Sequence, residues 1–155
     1  AKGLKIQSIN NRVYTMLGDG ELQEGEVWEG AMFSAHHELD NLCAIIDYNK
    51  MQSDNLNENI MGLEPLANKW NSFGWNVVEI NGHNFEEIDV AFDKARNCKG
   101  KPTVIIAHTI KGKGVSYMEG SPAWHGSLKL SDEDLVQALT ELGASEKEIK
   151  EAINE

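Results

Sequence analysis

Cysteine is scarce in this chain: two residues, Cys43 and Cys98, in 155. No metal-ligand spacing surrounds either, and the pair does not suggest an oxidising compartment, so a cytoplasmic location is expected. Cys43 sits inside an apolar run and reads as a packing residue. Basic residues are also few, 14 Lys and Arg against 25 Asp and Glu, for a formal charge of −11. That balance argues against a nucleic-acid partner. It does not exclude a phosphate ligand, because a bound metal ion can supply positive charge locally. Long apolar runs are absent, Leu42-Cys43-Ala44-Ile45-Ile46 being typical. A membrane helix needs about 20 such residues, so no membrane span is expected. The start, Ala1-Lys2-Gly3-Leu4-Lys5, has no apolar core of signal-peptide type and no initiating Met, so a missing upstream segment is expected.

What is present is the composition of a globular protein, 41% hydrophobic and 25% charged. A chain of this size buries about two-thirds of its unfolded surface. Four runs read as strands: Arg12–Leu17, Leu42–Tyr48, Asn76–Ile80 and Thr103–His108. The second and fourth are nearly continuous, as strands covered on both faces are. Helical spacing appears over Glu26–Leu39, Pro65–Phe73 and Phe85–Asn97, the last with Phe85, Ile88, Phe92 and Ala95 on one face. The alternation predicts an α/β fold, a parallel sheet with helices on both faces and right-handed crossovers. Thr109–Lys129 is a long Gly-rich connection. Ser131 and Ser145 each precede acids and predict two capped helices. Residues 131–155 hold eight acids and two lysines, which reads as a solvated face. The expected division is an α/β module over 1–130, incomplete at its N-terminus, with the acidic helices of 131–155 belonging to the same domain.

Polar clusters end the first two strands, Gly18-Asp19-Gly20 and Asp47-Tyr48-Asn49. In a parallel sheet, ligands bind beyond the carboxyl ends of the strands. If the two strands are neighbours, Asp19 and Asn49 converge. A carboxylate and an amide oxygen are hard donors of the kind Mg²⁺ takes, with phosphate oxygens and water completing the shell. The glycines beside Asp19 allow close approach of a diphosphate. Each cluster alone is an ordinary turn signal. The pair, with 28 residues between Gly20 and Asn49, has the spacing of the diphosphate–metal motif of thiamine diphosphate enzymes.

The motif set resembles the transketolase family. Gly18-Asp19-Gly20-Glu21-Leu22-Gln23-Glu24-Gly25, Trp28-Glu29, Leu39-Asp40-Asn41-Leu42 and Asp47-Tyr48-Asn49 carry the resemblance, with Thr109 to Val115 and Trp124-His125-Gly126 further on. It is closest to the stand-alone N-terminal subunit of split bacterial transketolases. The resemblance implies thiamine diphosphate and Mg²⁺ as cofactors, with Ca²⁺ or Mn²⁺ as substitutes. Asp19 and Asn49 would be metal ligands through their side chains, and Met51 through its backbone carbonyl. Gly18 and Gly20 would pack against the diphosphate. Glu24, with Glu29, falls on glutamates that link paired active sites, and His125 on a histidine facing diphosphate and substrate. An imidazole there can donate to phosphate or move a proton at neutral pH. His108 is a lesser candidate for the same crevice. Lys111 and Lys113 could touch phosphate, although the P-loop pattern is absent. Where the family has Asp, this chain has Asn81 and Asn84. Where it has Gly, Asn55 stands.

The implied reaction moves a two-carbon ketol unit between sugar phosphates. In the family, the glutamate that activates the cofactor lies on a separate pyrimidine-binding domain, for which 155 residues leave no room. The expected partner is therefore a C-terminal subunit carrying that domain, in a homodimer or heterotetramer, and this chain alone is expected to be inactive. Two alternatives stand beside this reading. One is another thiamine diphosphate enzyme, such as a deoxyxylulose-phosphate synthase or a dehydrogenase component. The other is a non-catalytic binding or assembly fragment.

Overall fold

The structure, a computed structural model, describes residues 1–53, 55–125 and 128–153. Gly126 of the Trp-His-Gly motif lies outside the described residues. Helix α1 (Lys2–Ile6) precedes β1 (Val13–Gly18), α2 (Gly25–His36) and β2 (Leu42–Tyr48). A small hairpin of β3 (Met51–Gln52) and β4 (Asn55–Leu56) leads to α3 (Asn57–Ile60) and α4 (Leu66–Ser72). Then come β5 (Asn76–Asn81), α5 (Phe85–Asn97), β6 (Thr103–His108), α6 (Asp132–Glu141) and α7 (Glu146–Ile153).

Four strands form one parallel sheet in the order β1-β2-β6-β5. All four expected strands are present, and the chain skips a place from β2 to β5 before β6 fills it. The register sets the carboxyl ends side by side: Gly18 opposite Asp47, Tyr48 opposite His108, and His108 opposite Asn81. The central strands look continuous in sequence but divide their side chains between two faces. Ala44, Ile46, Val104 and Ile106 join Leu22, Ala31, Leu66, Trp70 and Trp75 in one core layer. Cys43, Ile105 and Ala107 join Val78, Ile80, Ala91 and Ala95 in the other. Helices thus cover both faces, α2 and α4 on one, α5 on the other. Cys43 is fully buried, and burial pushes its thiol up to about 11.

Tryptophans organise the first layer. Trp70 stands 5.2 Å from Trp28 and 4.8 Å from Trp75, ring centre to ring centre. Trp75 donates its indole N–H to the Ala31 carbonyl and Trp28 to that of Leu22, which seats α2 on the sheet.

Several local expectations need correction. Helix α2 ends at His36, not Leu39, because Glu38 takes a left-handed backbone (φ 49°). Phe85 is 84% exposed. At the first position of α5 it precedes the turn that meets the sheet, and Ala91 and Ala95 carry the contact instead. Asn55, which stands where the family has Gly, lies in β4, and Lys50 in the turn before the hairpin is left-handed (φ 66°). Helix α1, the β3–β4 hairpin and α3 are too short to show a period in sequence. Among the described residues no helix is long and apolar enough to cross a membrane.

Candidate functional site

Asp19 closes the end of β1. It caps a single 3₁₀ turn, Gly20–Gln23, and is 2% exposed. Its Oδ1 accepts the Gly20 N–H at 2.8 Å, and its Oδ2 accepts the Lys50 N–H at 2.5 Å. Burial raises its pKa, while those two backbone donors oppose the rise. The Asn57 amide faces the same carboxylate and also favours its charge. Yet neither polar atom of that amide has a hydrogen bond of normal geometry, although Asn57 is only 4% exposed.

Asn49 follows β2, and its Oδ1 accepts the Met51 N–H at 3.0 Å. This short turn, with Lys50 left-handed in its middle, brings Asn49 and Met51 to the Asp19 side. The Met51 side chain is buried, in keeping with a contribution from its main chain. The β3–β4 hairpin is fastened to the 3₁₀ turn by Gln52 and Gln23, which exchange side-chain hydrogen bonds in both directions. Gly20 is required here by space: a Cβ would stand 2.9 Å from Gln52 Cβ.

The end of β6 fixes the path of the chain toward Lys111. Thr109 donates its hydroxyl to Asp47 Oδ1, and its N–H reaches the Tyr48 carbonyl at 3.2 Å. His83 Nε2 accepts the Ile110 N–H at 2.8 Å, steering the chain away from β6. Asn81 and Asn84 make the turn contacts their positions require: Asn81 Oδ1 accepts the His83 N–H, and Asn84 caps α5 on Glu86 and Glu87. Residues 111–120 then form a closed loop, with the Gly120 N–H 2.9 Å from the Lys111 carbonyl. Lys111 at its start and His125 just beyond its end both face the crevice.

The result is a cavity of about 370 Å³. Gly18, Asp19, Gly20, Asn49 and Met51 line one side, and Lys111 and His125 line it too. Glu21 and Asp47 add carboxylates. Acids at the strand ends and a lysine therefore line the same cavity. That polarity suits a metal–diphosphate pair, whose cation needs oxygen donors and whose anion needs positive charge. Donor chemistry fits the metal as well: one buried carboxylate, one amide oxygen and one main-chain carbonyl are hard donors. Among the described residues no three His, Cys, Asp or Glu side chains cluster to hold a metal by themselves.

Of the sequence candidates, Gly18, Asp19, Gly20, Asn49, Met51 and His125 meet in this crevice. Glu24 does not line it; it caps α2 through its backbone position and is exposed, as is Glu29. His108 pairs with Glu79 at 2.9 Å, and Lys113 with Glu119 at 3.1 Å. Asp47, Gln52 and Asn57 were not singled out from sequence. Asp47 was signalled by its place in Asp-Tyr-Asn; Gln52 and Asn57 carry no motif.

Comparison with known proteins shows the family to which the fold belongs. Residues 3–154 match the family model described as "Transketolase, thiamine diphosphate binding domain". The chain is 47% identical over 142 residues to the 6-deoxy-6-sulfo-D-fructose transketolase subunit SqwG of Clostridium sp. (strain MSTE9), covering 92% of this chain and 51% of that protein. It is 40% identical over 143 residues to an apulose-4-phosphate transketolase subunit of Phocaeicola vulgatus, covering 91% of this chain and 51% of that one. The chain thus spans about half the length of these curated relatives. Among solved structures, transketolase from Campylobacter jejuni superposes with a TM-score of 0.81 at 34% identity, over 88% of this chain and 21% of that one. With the family model covering nearly its whole length and the fold matching over most of it, the chain belongs to the transketolase family, in its thiamine diphosphate-binding domain.

Proposed function

We propose that this chain is the diphosphate- and Mg²⁺-binding part of a transketolase that moves a two-carbon ketol unit between sugar phosphates. The observation that carries the reading is the crevice itself, which Asp19, Asn49, Met51, Lys111 and His125 line together. Residues 1–130 form the binding module and 131–155 its C-terminal helices. Asp19, Asn49 and the Met51 carbonyl hold Mg²⁺, with Gly18 and Gly20 leaving room for the diphosphate. Glu24 acts toward the paired active site, which agrees with its exposed place at the start of α2.

Thiamine diphosphate, when bound, supplies the electron sink for cleaving the bond next to the ketose carbonyl. The residues of this chain bind and orient around it. Lys111 offsets phosphate charge. His125 presents an imidazole that donates a hydrogen bond to an anionic oxygen or moves a proton at the substrate. Relatives named as subunits, one for a sulfonated ketose and one for a ketose phosphate, support a separate C-terminal partner carrying the pyrimidine-binding domain.

Reconstitution tests this reading. The full-length protein, its C-terminal partner, Mg²⁺ and thiamine diphosphate should together transfer the ketol unit of xylulose 5-phosphate to an aldose phosphate, and neither protein should do so alone. Transfer by the partner alone, or product formed only when pyruvate replaces the ketose as donor, would reject it.

A further inference from the structure

The two acidic C-terminal helices read in sequence as a solvated face, but in the structure the first of them, α6, grips the loop that delivers Lys111 and His125. The hold is concentrated on two residues at the loop tip. Glu141, the last residue of α6, accepts the Ser116 N–H through Oε2 at 2.5 Å and the Ser116 hydroxyl through Oε1 at 2.6 Å. Gln137, one turn earlier, donates to the same Oε1 at 2.8 Å and so fixes the carboxylate. Tyr117 donates its hydroxyl to the Asp134 carbonyl at 2.7 Å. Val115, beside them, is 6% exposed, and a Cβ on Gly114 would stand 3.1 Å from Leu142 Cδ2.

From the tip the contact passes to the site. The Tyr117 ring meets the Trp124 ring edge to face at 5.1 Å, and Trp124 directly precedes His125. The Lys111–Gly120 hydrogen bond closes the loop at its base. A closed loop held at both tip and base transmits the position of its tip to its ends. Helix α6 is itself well anchored for this: Ser131 and Asp134 form a reciprocal capping box, and Ala138 packs inward.

We propose that α6 is a clasp and that Glu141 is a positioning residue for His125, acting through Ser116, Tyr117 and Trp124. The proposal rests on the reading of His125 as a site residue. A small displacement of a reacting group is costly, about 100-fold for ~1 Å, so a clasp of this kind bears on turnover without touching substrate.

The test uses the full-length protein with its partner, Mg²⁺, thiamine diphosphate and xylulose 5-phosphate. Two measurements are made on Glu141→Ala and on Tyr117→Phe, which removes one hydrogen bond and keeps the ring. Trypsin cleavage after Lys111 and Lys113, mapped by mass, should quicken several-fold in both. kcat should fall, roughly tenfold for Glu141→Ala, with KM nearly unchanged. In a His125→Ala background Glu141→Ala should lower kcat no further, because both act on one group. Unchanged loop cleavage would overturn the clasp. Faster cleavage with additive losses of kcat would leave a structural latch and overturn the positioning role. A neutral His125→Ala would instead overturn the reading of His125, and the positioning role with it.

Discussion

The Lys50 backbone N–H donates to Asp19 Oδ2, joining the loop after β2 to the end of β1. This one bond makes two distant sequence clusters into a site, because Lys50 lies between Asn49 and Met51. It also explains why Lys50 accepts a left-handed backbone at φ 66°, which a non-glycine residue adopts only where surroundings hold it.

His125→Ala should lower turnover far more than cofactor affinity. General acid–base groups contribute about 100-fold or more, so kcat should drop by about that factor. Calorimetry with thiamine diphosphate and Mg²⁺ supplies the affinity. Equal losses in kcat and affinity would assign His125 to diphosphate binding instead.

Gly82 tests the closeness of the strand ends. Its N–H reaches the His108 carbonyl at 2.8 Å, and a Cβ there would stand 2.5 Å from Thr109 Cγ2 and 3.1 Å from Ala107 Cβ. Gly82→Ala should destabilise by about 1–3 kcal/mol, the usual cost of overpacking. Adding Thr109→Ser removes the nearest methyl and keeps the hydroxyl for Asp47, so urea midpoints should recover in part. No loss in the single variant would show that the strand ends have slack.

Acid should weaken the contact between Tyr48 and Glu64. The Tyr48 hydroxyl donates to Glu64 Oε1 at 2.6 Å, and the Leu66 N–H to Oε2 at 2.8 Å. Both hold the Glu64 pKa below its ordinary 4.5, the tyrosine most. A depressed carboxylate value gives stability that is complete above 4.5 and lost as pH falls through the folded value. Tyr48→Phe should therefore cost about 1 kcal/mol near neutral pH, less than is usual for a charged acceptor because Glu64 is exposed. The difference between variant and parent should shrink in acid. A difference independent of pH in urea titrations would assign the loss to packing.

Association should follow from the apolar surface. Met32 and Phe33 on α2 are 53% and 49% exposed, and Met16 on β1 is 69% exposed. Exposed apolar patches of this kind mark interfaces. Sedimentation of the full-length protein should show a species larger than the monomer, and Met32→Asp with Phe33→Asp should dissociate it. A strict monomer in the parent would reject the interface.

Much of this molecule was legible in its sequence where the signal was periodic or motif-borne. The four parallel strands, α5 with its Asn84 cap, and the Ser131 capping box all announce themselves through spacing and cap chemistry. The meeting of Asp19 and Asn49 was also readable, because strand ends in a parallel sheet converge. The rest depended on contacts that leave no local pattern. Nothing near Gln52 says that it covers Gly20, and nothing near Glu141 says that it holds Ser116. Val27 and Trp28 look as free as Met32 and Phe33 in sequence, yet they pack against the core layer of Trp70 and Trp75. Phe85 erred the other way: its helical spacing is right, but the first turn of α5 precedes the contact with the sheet.

The most direct test of the metal–diphosphate site is a calorimetric titration of thiamine diphosphate into the full-length protein with its partner, with and without Mg²⁺, for the parent and for Asp19→Ala. Binding should require Mg²⁺ and vanish in Asp19→Ala, since the metal would lose its carboxylate ligand while Asn49 and Met51 remain. Binding that is independent of Mg²⁺, or unchanged affinity in Asp19→Ala, would contradict the assignment.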